Sequence, residues 1–151
     1  HKWIPQEHFY YSVEHTGFEA NPMRSEGTYS KYSSLDDKLD GFHWYLGYLK
    51  FGLGRASREA QMEIRHGHLT RREGVALVRK YDGEFPKKYY KDFLEYLGIT
   101  DKEFWKVCNK FRPEHLWEKR NGKWKLMHVV ENLADDEIKE PIRVIDSLLK
   151  E

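Results

Sequence analysis

Apolar residues recur every three or four positions over most of the chain, and short stretches rich in glycine, serine and proline interrupt them. This periodicity predicts amphipathic helices joined by short loops. One longer loop is expected over residues 21–33, which begin with Asn-Pro and are rich in Gly, Ser and Tyr. The expected helices cover residues 6–15, 34–51, 56–66, 71–81, 86–97, 101–112 and 139–150.

Capping signals mark where several of these helices begin. Thr70 with Glu73, and Thr100 with Glu103, have the Thr-x-x-Glu spacing of a capping box, in which each side chain bonds to the backbone of the other residue. Pro86 is expected in the first turn of its helix, where a missing N–H does no harm. Helix ends are expected at Gly17, Gly67, Gly83 and Gly98.

The helix predicted over residues 34–51 is apolar on two sides. Ser34 is expected to cap it. One stripe holds Leu35, Leu39, Phe42, Leu46 and Leu49, and a second holds Trp44, Tyr48 and Phe51. A helix with this much apolar surface is buried in a core or lies at an interface.

The dipeptide Asn121-Gly122 is a type I′ turn signal and predicts a β-hairpin that pairs residues 117–120 with 123–126. Trp, Tyr and Phe number 5, 10 and 8, so we expect an aromatic-rich core. The predicted fold class is mainly α. Residues 1–151 are expected to form a single helical domain, a compact bundle of about six helices with one small β-hairpin.

Charge is balanced overall, with 26 Lys+Arg against 25 Asp+Glu, but it is unevenly placed. Residues 52–80 hold 7 basic and 3 acidic residues and no aromatic residue. Two interpretations stay open: solvated helices, or a surface that faces phosphate, nucleotide or nucleic acid. Nucleic acid is the weakest of these, because the stretch has no aromatic residue on which bases could stack.

No apolar run approaches the roughly 20 residues that span a bilayer, and the N-terminus lacks the basic and apolar regions of a secretion signal. We therefore expect a cytoplasmic protein without a membrane partner. The single cysteine, Cys108, cannot form an internal disulfide, which fits a reducing compartment. It lies on the apolar face of its helix and is expected to be a core residue.

Common catalytic and cofactor motifs are missing from the sequence, which contains no GxGxxG, GxxxxGK[ST], GxSxG or HExxH. His66 and His68 have no third ligand at a suitable spacing. We therefore expect no metal site, and no cofactor bound by this chain alone.

Two segments have the composition of an anion site. In residues 24–43, a loop rich in Gly, Ser and Thr carries Arg24 and Lys31 toward a predicted helix N-terminus, where N–H groups and cations favour phosphate. The alternative is an ordinary surface loop. In residues 50–67, glycines allow a sharp turn before a charged helix.

The charges of this second segment fall into two groups. The cations are Lys50, Arg55 and Arg58, and the acids beside them are Glu59 and Glu63. They form either an exposed, charge-rich helix or the wall of an active site that holds polyphosphate oxygens. Spacing does not separate the two interpretations.

Both segments belong to a longer match. Its strings are KWIPQEHFYY (2–11), EHTGFEANP (14–22), GTYSKYSSLDDKLDGFH (27–43), KFGLGRA (50–56), EIRHGHLTRREGVALV (63–78) and KYDGEFP (80–86). Over residues 2 to about 112 the chain resembles the C-terminal part of the N-acetyl sugar amidotransferase family. That family works in O-antigen (lipopolysaccharide) and in pseudaminic or legionaminic acid-type sugar biosynthesis.

The resemblance implies an ATP-dependent enzyme of the PP-loop ATP pyrophosphatase superfamily. Such an enzyme converts an acetamido group of a sugar nucleotide to an acetamidino group, using ATP with Mg and ammonia from a glutaminase subunit. The SGGxDS-type PP-loop and its α/β domain are absent from these 151 residues. We therefore expect the chain to be the C-terminal helical region of a longer enzyme, without the principal ATP site and inactive alone.

The resemblance and the charge pattern together indicate which residues contact substrate. Phosphate or sugar-nucleotide contacts are expected from Arg24, Lys31, Lys50, Arg55 and Arg58. Contacts to sugar hydroxyls, or the orientation of ammonia, are expected from Asp36, Asp37 and His43. Replacing Arg55 by alanine is expected to reduce turnover with little loss of folding. No catalytic residue is identified.

The alternative function is a non-catalytic helical module that binds a protein partner. Its docking surface would be the aromatic helix predicted over residues 34–51.

Overall fold

The computed structural model describes residues 2–139 and contains, within them, six α-helices and one β-hairpin. The helices are α1 (Pro5–Thr16), α2 (Asp40–Phe51), α3 (Arg55–His66), α4 (Arg71–Tyr81), α5 (Tyr90–Leu97) and α6 (Asp101–Lys110). The strands are β1 (Trp117–Arg120) and β2 (Lys123–Leu126), followed by 3₁₀ turns at Val130–Asn132 and Asp135–Glu137. The predicted mainly α fold is confirmed. Apart from its first residue, the helix predicted over 139–150 lies outside the described part of the chain.

The capping signals place α4 and α6 correctly. Thr70 accepts a hydrogen bond from the Glu73 backbone N–H at 3.2 Å, and the Glu73 carboxylate accepts one from the Thr70 N–H at 2.8 Å. Thr100 and Glu103 make the same reciprocal pair at the start of α6. These bonds satisfy backbone N–H groups that have no partner inside a helix.

The start of α2 was predicted wrongly. The helix begins at Asp40, not at Ser34, and Leu35 is 37% exposed outside it. Ser34 has φ +54°, a left-handed conformation that does not lead into a right-handed helix. Its hydroxyl donates to the Asp40 carboxylate instead of capping a helix.

The start of α5 was also predicted too early. This helix begins at Tyr90, and Pro86 precedes it as a buried residue whose Cβ would lie 3.0 Å from a Cβ added at Gly41. The Glu26 carboxylate accepts hydrogen bonds from the backbone N–H groups of Lys87 (2.9 Å) and Lys88 (3.3 Å). Those N–H groups are thereby held by a distant loop rather than by a helix turn.

The main core is aromatic, as expected, and α2 runs through it. Phe42 stacks on Phe93 of α5 with ring centroids 4.0 Å apart. The other buried members of this cluster are Tyr45, Leu49, Phe104, Cys108, Trp117 and Leu126. Burial raises the pKa of the Cys108 thiol to about 11, which keeps it neutral as a small core residue.

The predicted hairpin is confirmed in its register. Trp117 pairs with Leu126, and Arg120 pairs with Lys123 across the turn. Asn121 and Gly122 both have positive φ, as a type I′ turn requires. The hairpin is anchored to α2 because the Trp117 indole N–H donates to the Leu49 carbonyl at 2.7 Å.

Three consecutive residues after α4 hold separate parts of the fold together. The Asp82 carboxylate accepts from the Gly54 N–H (2.9 Å), from the Ser57 N–H (3.2 Å) and from the Ser57 hydroxyl (2.6 Å), and so caps α3. Gly83 lies against the Tyr48 ring with φ +72°, so no side chain fits there. Glu84 binds the Arg24 guanidinium through two hydrogen bonds, 2.6 and 2.8 Å long.

The first helix is attached more lightly than the others. No residue of α1 is buried. Phe9 stacks on Tyr32 with ring centroids 4.3 Å apart, and the Tyr32 hydroxyl donates to the Gln6 side-chain oxygen at 2.8 Å. Tyr32 therefore joins α1 to the loop that precedes α2.

At the other end of the described chain, residues 130–138 lie along α4. The Arg79 guanidinium donates to the Asp135 carboxylate at 2.7 Å and to the Leu133 carbonyl. Among residues 2–139, no helix combines the length and the apolar character needed to cross a membrane.

We predict that Asp82→Ala lowers the free energy of unfolding by about 1–3 kcal/mol, because it leaves the N-terminal N–H groups of α3 without their acceptor. Urea unfolding followed by circular dichroism measures the change. Asp36→Ala is the control, since Asp36 is exposed on a loop, and its effect should stay within about 0.5 kcal/mol. Equal losses from the two variants would contradict the capping role.

Candidate functional site

A pocket of about 160 Å³ lies between the N-terminus of α1, the loop before α2, and α3. We call it the α1–α3 pocket. Its lining combines polar groups with aromatic and aliphatic surface. The lining residues are Pro5, Gln6, Tyr32, Ser33, Trp44, Arg55, Arg58, Glu59, Met62, Glu63, His66 and His68.

Arg55 forms the floor of this pocket and is 7% exposed. Its Nη1 donates to Asp40 of α2 at 3.0 Å, and its Nε donates to Glu59 of α3 at 3.0 Å. The same Asp40 oxygen accepts from the Trp44 indole N–H at 3.1 Å. Two carboxylates thus neutralise Arg55, and the network fixes α2 against α3.

Glu59 and Glu63 lie one turn apart on the pocket side of α3. Both oxygens of Glu59 are used, one by Arg55 and the other by the buried Thr28 hydroxyl. Glu63 accepts from the Tyr29 hydroxyl through Oε1 at 3.1 Å. Its Oε2 accepts no hydrogen bond from residues 2–139, so it is available to a ligand.

Burial raises the pKa of Glu63 above its ordinary value, and the neighbouring Glu59 carboxylate adds to the rise. The bond from Tyr29 and the nearby His68 act in the opposite direction. Burial and the same two carboxylates raise the pKa of the Tyr32 hydroxyl to about 12, so it stays protonated and can donate.

Arg58 differs from Arg55 although both line the pocket. Arg58 is exposed, and its guanidinium lies 5.3 Å from the centroid of the Trp44 ring. Within the described part of the chain, its side chain has no hydrogen bond or ion pair with an acidic residue. Arg58 therefore presents positive charge that no carboxylate cancels.

His66 and His68 close one end of the pocket, with ring centroids 6.2 Å apart. Desolvation and the nearby cations Arg65 and Lys2 lower the pKa of His66, which favours its neutral form. In residues 2–139 there is no group of three His, Cys, Asp or Glu side chains that could hold a metal ion.

The structure brings together two of the eight residues predicted from the sequence, Arg55 and Arg58, and places the others outside the pocket lining. Arg24 is bound by Glu84 and lies 4.6 Å from the Tyr81 ring centroid. The remaining five side chains are exposed on the loop before α2 or on α2 itself: Lys31, Asp36, Asp37, His43 and Lys50.

Several pocket residues were not assigned to a site from the sequence. Trp44 was assigned to an apolar stripe, whereas Glu59 and Glu63 were grouped with the cations of residues 50–67, for which the wall of an active site was one of two interpretations, and were not named as substrate contacts. The i, i+4 spacing of Arg55, Glu59 and Glu63 puts them on one face of α3, but spacing alone does not show which of these charges pair with each other. Tyr32 has no such signal, because the loop that carries it has no regular period.

A second cavity of about 590 Å³ runs between α3 and α4. We call it the α3–α4 groove. Its lining is Trp44, Phe51, Leu53, Gly54, Ser57, Arg58, Ala60, Gln61, Ile64, Arg71, Gly74, Val75, Val78 and Val130. Trp44 and Arg58 line both cavities and therefore separate them.

The pocket is better suited to a neutral, hydroxylated group than to polyphosphate. Arg55, its most buried cation, is already paired with Asp40 and Glu59. Glu63 adds negative charge, which would repel phosphate oxygens. The expectation that Arg55 holds phosphate would therefore require breaking a buried ion pair.

A protein-family model described as "LPS biosynthesis protein WbpG-like, C-terminal domain" matches residues 26–131. The matched segment includes α2 to α6 and the hairpin. No curated protein matches the chain.

We predict that Arg55→Ala lowers the free energy of unfolding by about 3–5 kcal/mol, because it leaves the Asp40 and Glu59 carboxylates without their cation. This reverses the expectation, drawn from the sequence, of little loss of folding. Arg58→Ala, the matched control on the same helix, should change stability by no more than about 1 kcal/mol, because only its cation–π contact with Trp44 is lost. Thermal and urea unfolding measure both. A stable Arg55→Ala protein would refute the structural role of this ion pair.

We predict that Glu63→Gln stabilises the protein at about pH 7 and has little effect at about pH 3. The folded state raises the pKa of Glu63 above 4.5, so it binds that proton more tightly than the unfolded chain does. Ionisation of Glu63 therefore opposes folding, and this penalty develops as the pH rises from 4.5 through the raised value. Urea unfolding across this range tests the sign. Glutamine keeps an acceptor for Tyr29, and destabilisation at neutral pH would contradict the prediction.

Proposed function

This chain belongs to the C-terminal domain family of WbpG-like LPS biosynthesis proteins, and from this premise we propose that it is the C-terminal helical region of an ATP-dependent N-acetyl sugar amidotransferase. The observation that carries the proposal is the family match over α2 to α6. The resemblance of residues 2 to about 112 to N-acetyl sugar amidotransferases supports the finer assignment.

In the proposed reaction, the acetamido oxygen of a sugar nucleotide attacks the α-phosphorus of ATP, and pyrophosphate leaves. Ammonia then adds to the activated carbon, and AMP leaves with the former amide oxygen. The product is an acetamidino sugar in which C=NH has replaced C=O. Ammonia would come from a glutaminase subunit, and the proposed setting is the cytoplasm.

In the described residues, the α1–α3 pocket lacks the features of a PP-loop site for the ATP phosphates. No SGGxDS-type sequence is present, and the most buried arginine of the pocket is neutralised. We therefore place ATP and Mg on a separate PP-loop domain of the longer enzyme. The role left to this chain is to bind and orient the sugar substrate.

The alternative of a protein-interaction module loses support from the position of α2. Phe42, Tyr45 and Leu49 are buried in the chain's own core. The exposed aromatic residue at the end of the helix is Phe51, which is 62% exposed and lines the α3–α4 groove. One exposed aromatic side chain is too small a surface to serve as the main docking site for a protein partner.

We predict that the chain, expressed in cis with a PP-loop domain, forms AMP, pyrophosphate and an amidino sugar from ATP, ammonium and an N-acetyl sugar nucleotide. With ¹⁸O in the acetyl carbonyl, the label should appear in AMP, because the amide oxygen attacks phosphorus. Mass spectrometry follows both products.

The same assay on the 151-residue chain alone is the control and should give no AMP. Label that stays in the sugar, or release of ADP and phosphate in place of AMP, would rule out the proposed reaction. If the longer protein is inactive with every N-acetyl sugar nucleotide supplied, the amidotransferase assignment fails.

A further inference from the structure

The α1–α3 pocket and the α3–α4 groove share one wall. Trp44 from α2 and Arg58 from α3 line both the α1–α3 pocket and the α3–α4 groove. Their side chains contact each other, with the Arg58 guanidinium 5.3 Å from the Trp44 ring centroid. A ligand that passes over this pair can place different chemical groups in the two cavities.

The charge at the wall is positive and unneutralised. Arg55, on the pocket floor, has two carboxylate partners. Arg58, one turn later on α3, has no acidic partner within residues 2–139 and is exposed at the rim. An anionic group of a ligand is therefore expected at the boundary between the cavities rather than inside the pocket.

The pocket itself has the chemistry of a sugar site. Pro5, Met62 and the part of the Trp44 ring not covered by the guanidiniums of Arg55 and Arg58 provide apolar surface for the C–H groups of a sugar ring. Glu63 lines the pocket together with His68, and its Oε2 is an acceptor without a partner in the described chain. Both features suit a neutral, hydroxylated ring.

The groove has the chemistry of a nucleoside site. Phe51 and Leu53 are both 62% exposed on its rim and offer apolar surface to a base. Gln61 is exposed there, and its amide makes no hydrogen bond to residues 2–139. A planar base with donor and acceptor edges can use both kinds of contact.

We infer that this chain binds a nucleoside diphosphate sugar across the Trp44–Arg58 pair, with the sugar in the α1–α3 pocket, the diphosphate against Arg58 and the nucleoside in the α3–α4 groove. The inference rests on the proposed function for its substrate class and adds the placement of each part of the substrate. It assigns sugar recognition to Glu63, anion recognition to Arg58 and base contact to Phe51.

Two probes separate these roles, UDP-N-acetylglucosamine and UDP, titrated into the 151-residue chain by calorimetry. UDP-N-acetylglucosamine should bind more tightly than UDP, because only it fills the pocket. Arg58→Ala should weaken both probes by about tenfold or more. Glu63→Gln should weaken only the sugar-containing probe, so that the two affinities converge. Phe51→Ala should weaken both probes and leave their ratio unchanged.

Lys102→Ala is the matched control, since Lys102 is an exposed cation on α6, away from both cavities. It should change neither affinity. Arg58 and Phe51 are exposed, so circular dichroism should show that these variants remain folded.

Each contrary result overturns a stated part of the inference. Failure of UDP-N-acetylglucosamine to bind at millimolar concentration removes it entirely. If Glu63→Gln leaves the ratio of the two affinities, for UDP-N-acetylglucosamine and UDP, unchanged, the placement of the sugar in the pocket is wrong. If Phe51→Ala leaves binding unchanged, the placement of the nucleoside in the groove is wrong. Displacement of UDP by farnesyl diphosphate, but not by inorganic pyrophosphate, would assign the groove to a prenyl chain instead of a nucleoside. ¹⁸O transfer to AMP by the longer enzyme would show that the proposed function stands even where this placement fails.

Discussion

The buried ion pair network around Arg55 determines where the parts of the site lie. One guanidinium binds a carboxylate of α2 and a carboxylate of α3, and these carboxylates in turn accept hydrogen bonds from Trp44 and Thr28. A buried cation must keep such partners, because leaving any of them unpaired is unfavourable. The network therefore fixes the angle between α2 and α3, and with it the Trp44 ring that divides the two cavities.

The same network determines which charges remain available to a ligand. Carboxylates that pair with Arg55 cannot also repel or bind a substrate strongly, and Arg55 itself is neutralised. Among the described arginines and glutamates that line the α1–α3 pocket, the exposed Arg58 at the rim and one oxygen of Glu63 remain without a partner. The net charge of the whole chain is near zero, yet within the site the cation Arg58 and the acceptor oxygen of Glu63 lie at separate places.

The sequence predicts the regular parts of this fold well. Capping boxes and glycines locate α3, α4 and α6 within one or two residues, because these signals act over a few neighbouring positions. It fails at Ser34 and Pro86, where distant groups decide the structure: Asp40, already bound to Arg55, takes the Ser34 hydroxyl, and Glu26 takes the N–H groups after Pro86. The prediction of the site residues from the sequence fails for the same reason. Arg55 and Arg58 are similar in sequence, and only the fold shows that one is paired and the other is not.

The light attachment of α1 has a consequence for how the pocket changes with time. The α3 wall is held by Asp82 and by the Arg55 network, whereas α1 contributes no buried residue and meets the loop through Tyr32. Local opening of α1 requires far less free energy than unfolding of the helices behind it. We therefore expect the pocket to open and close by movement of α1 while the rest of the fold is kept. A ligand that touches both Gln6 and α3 favours the closed population, and part of its binding free energy is used to order α1.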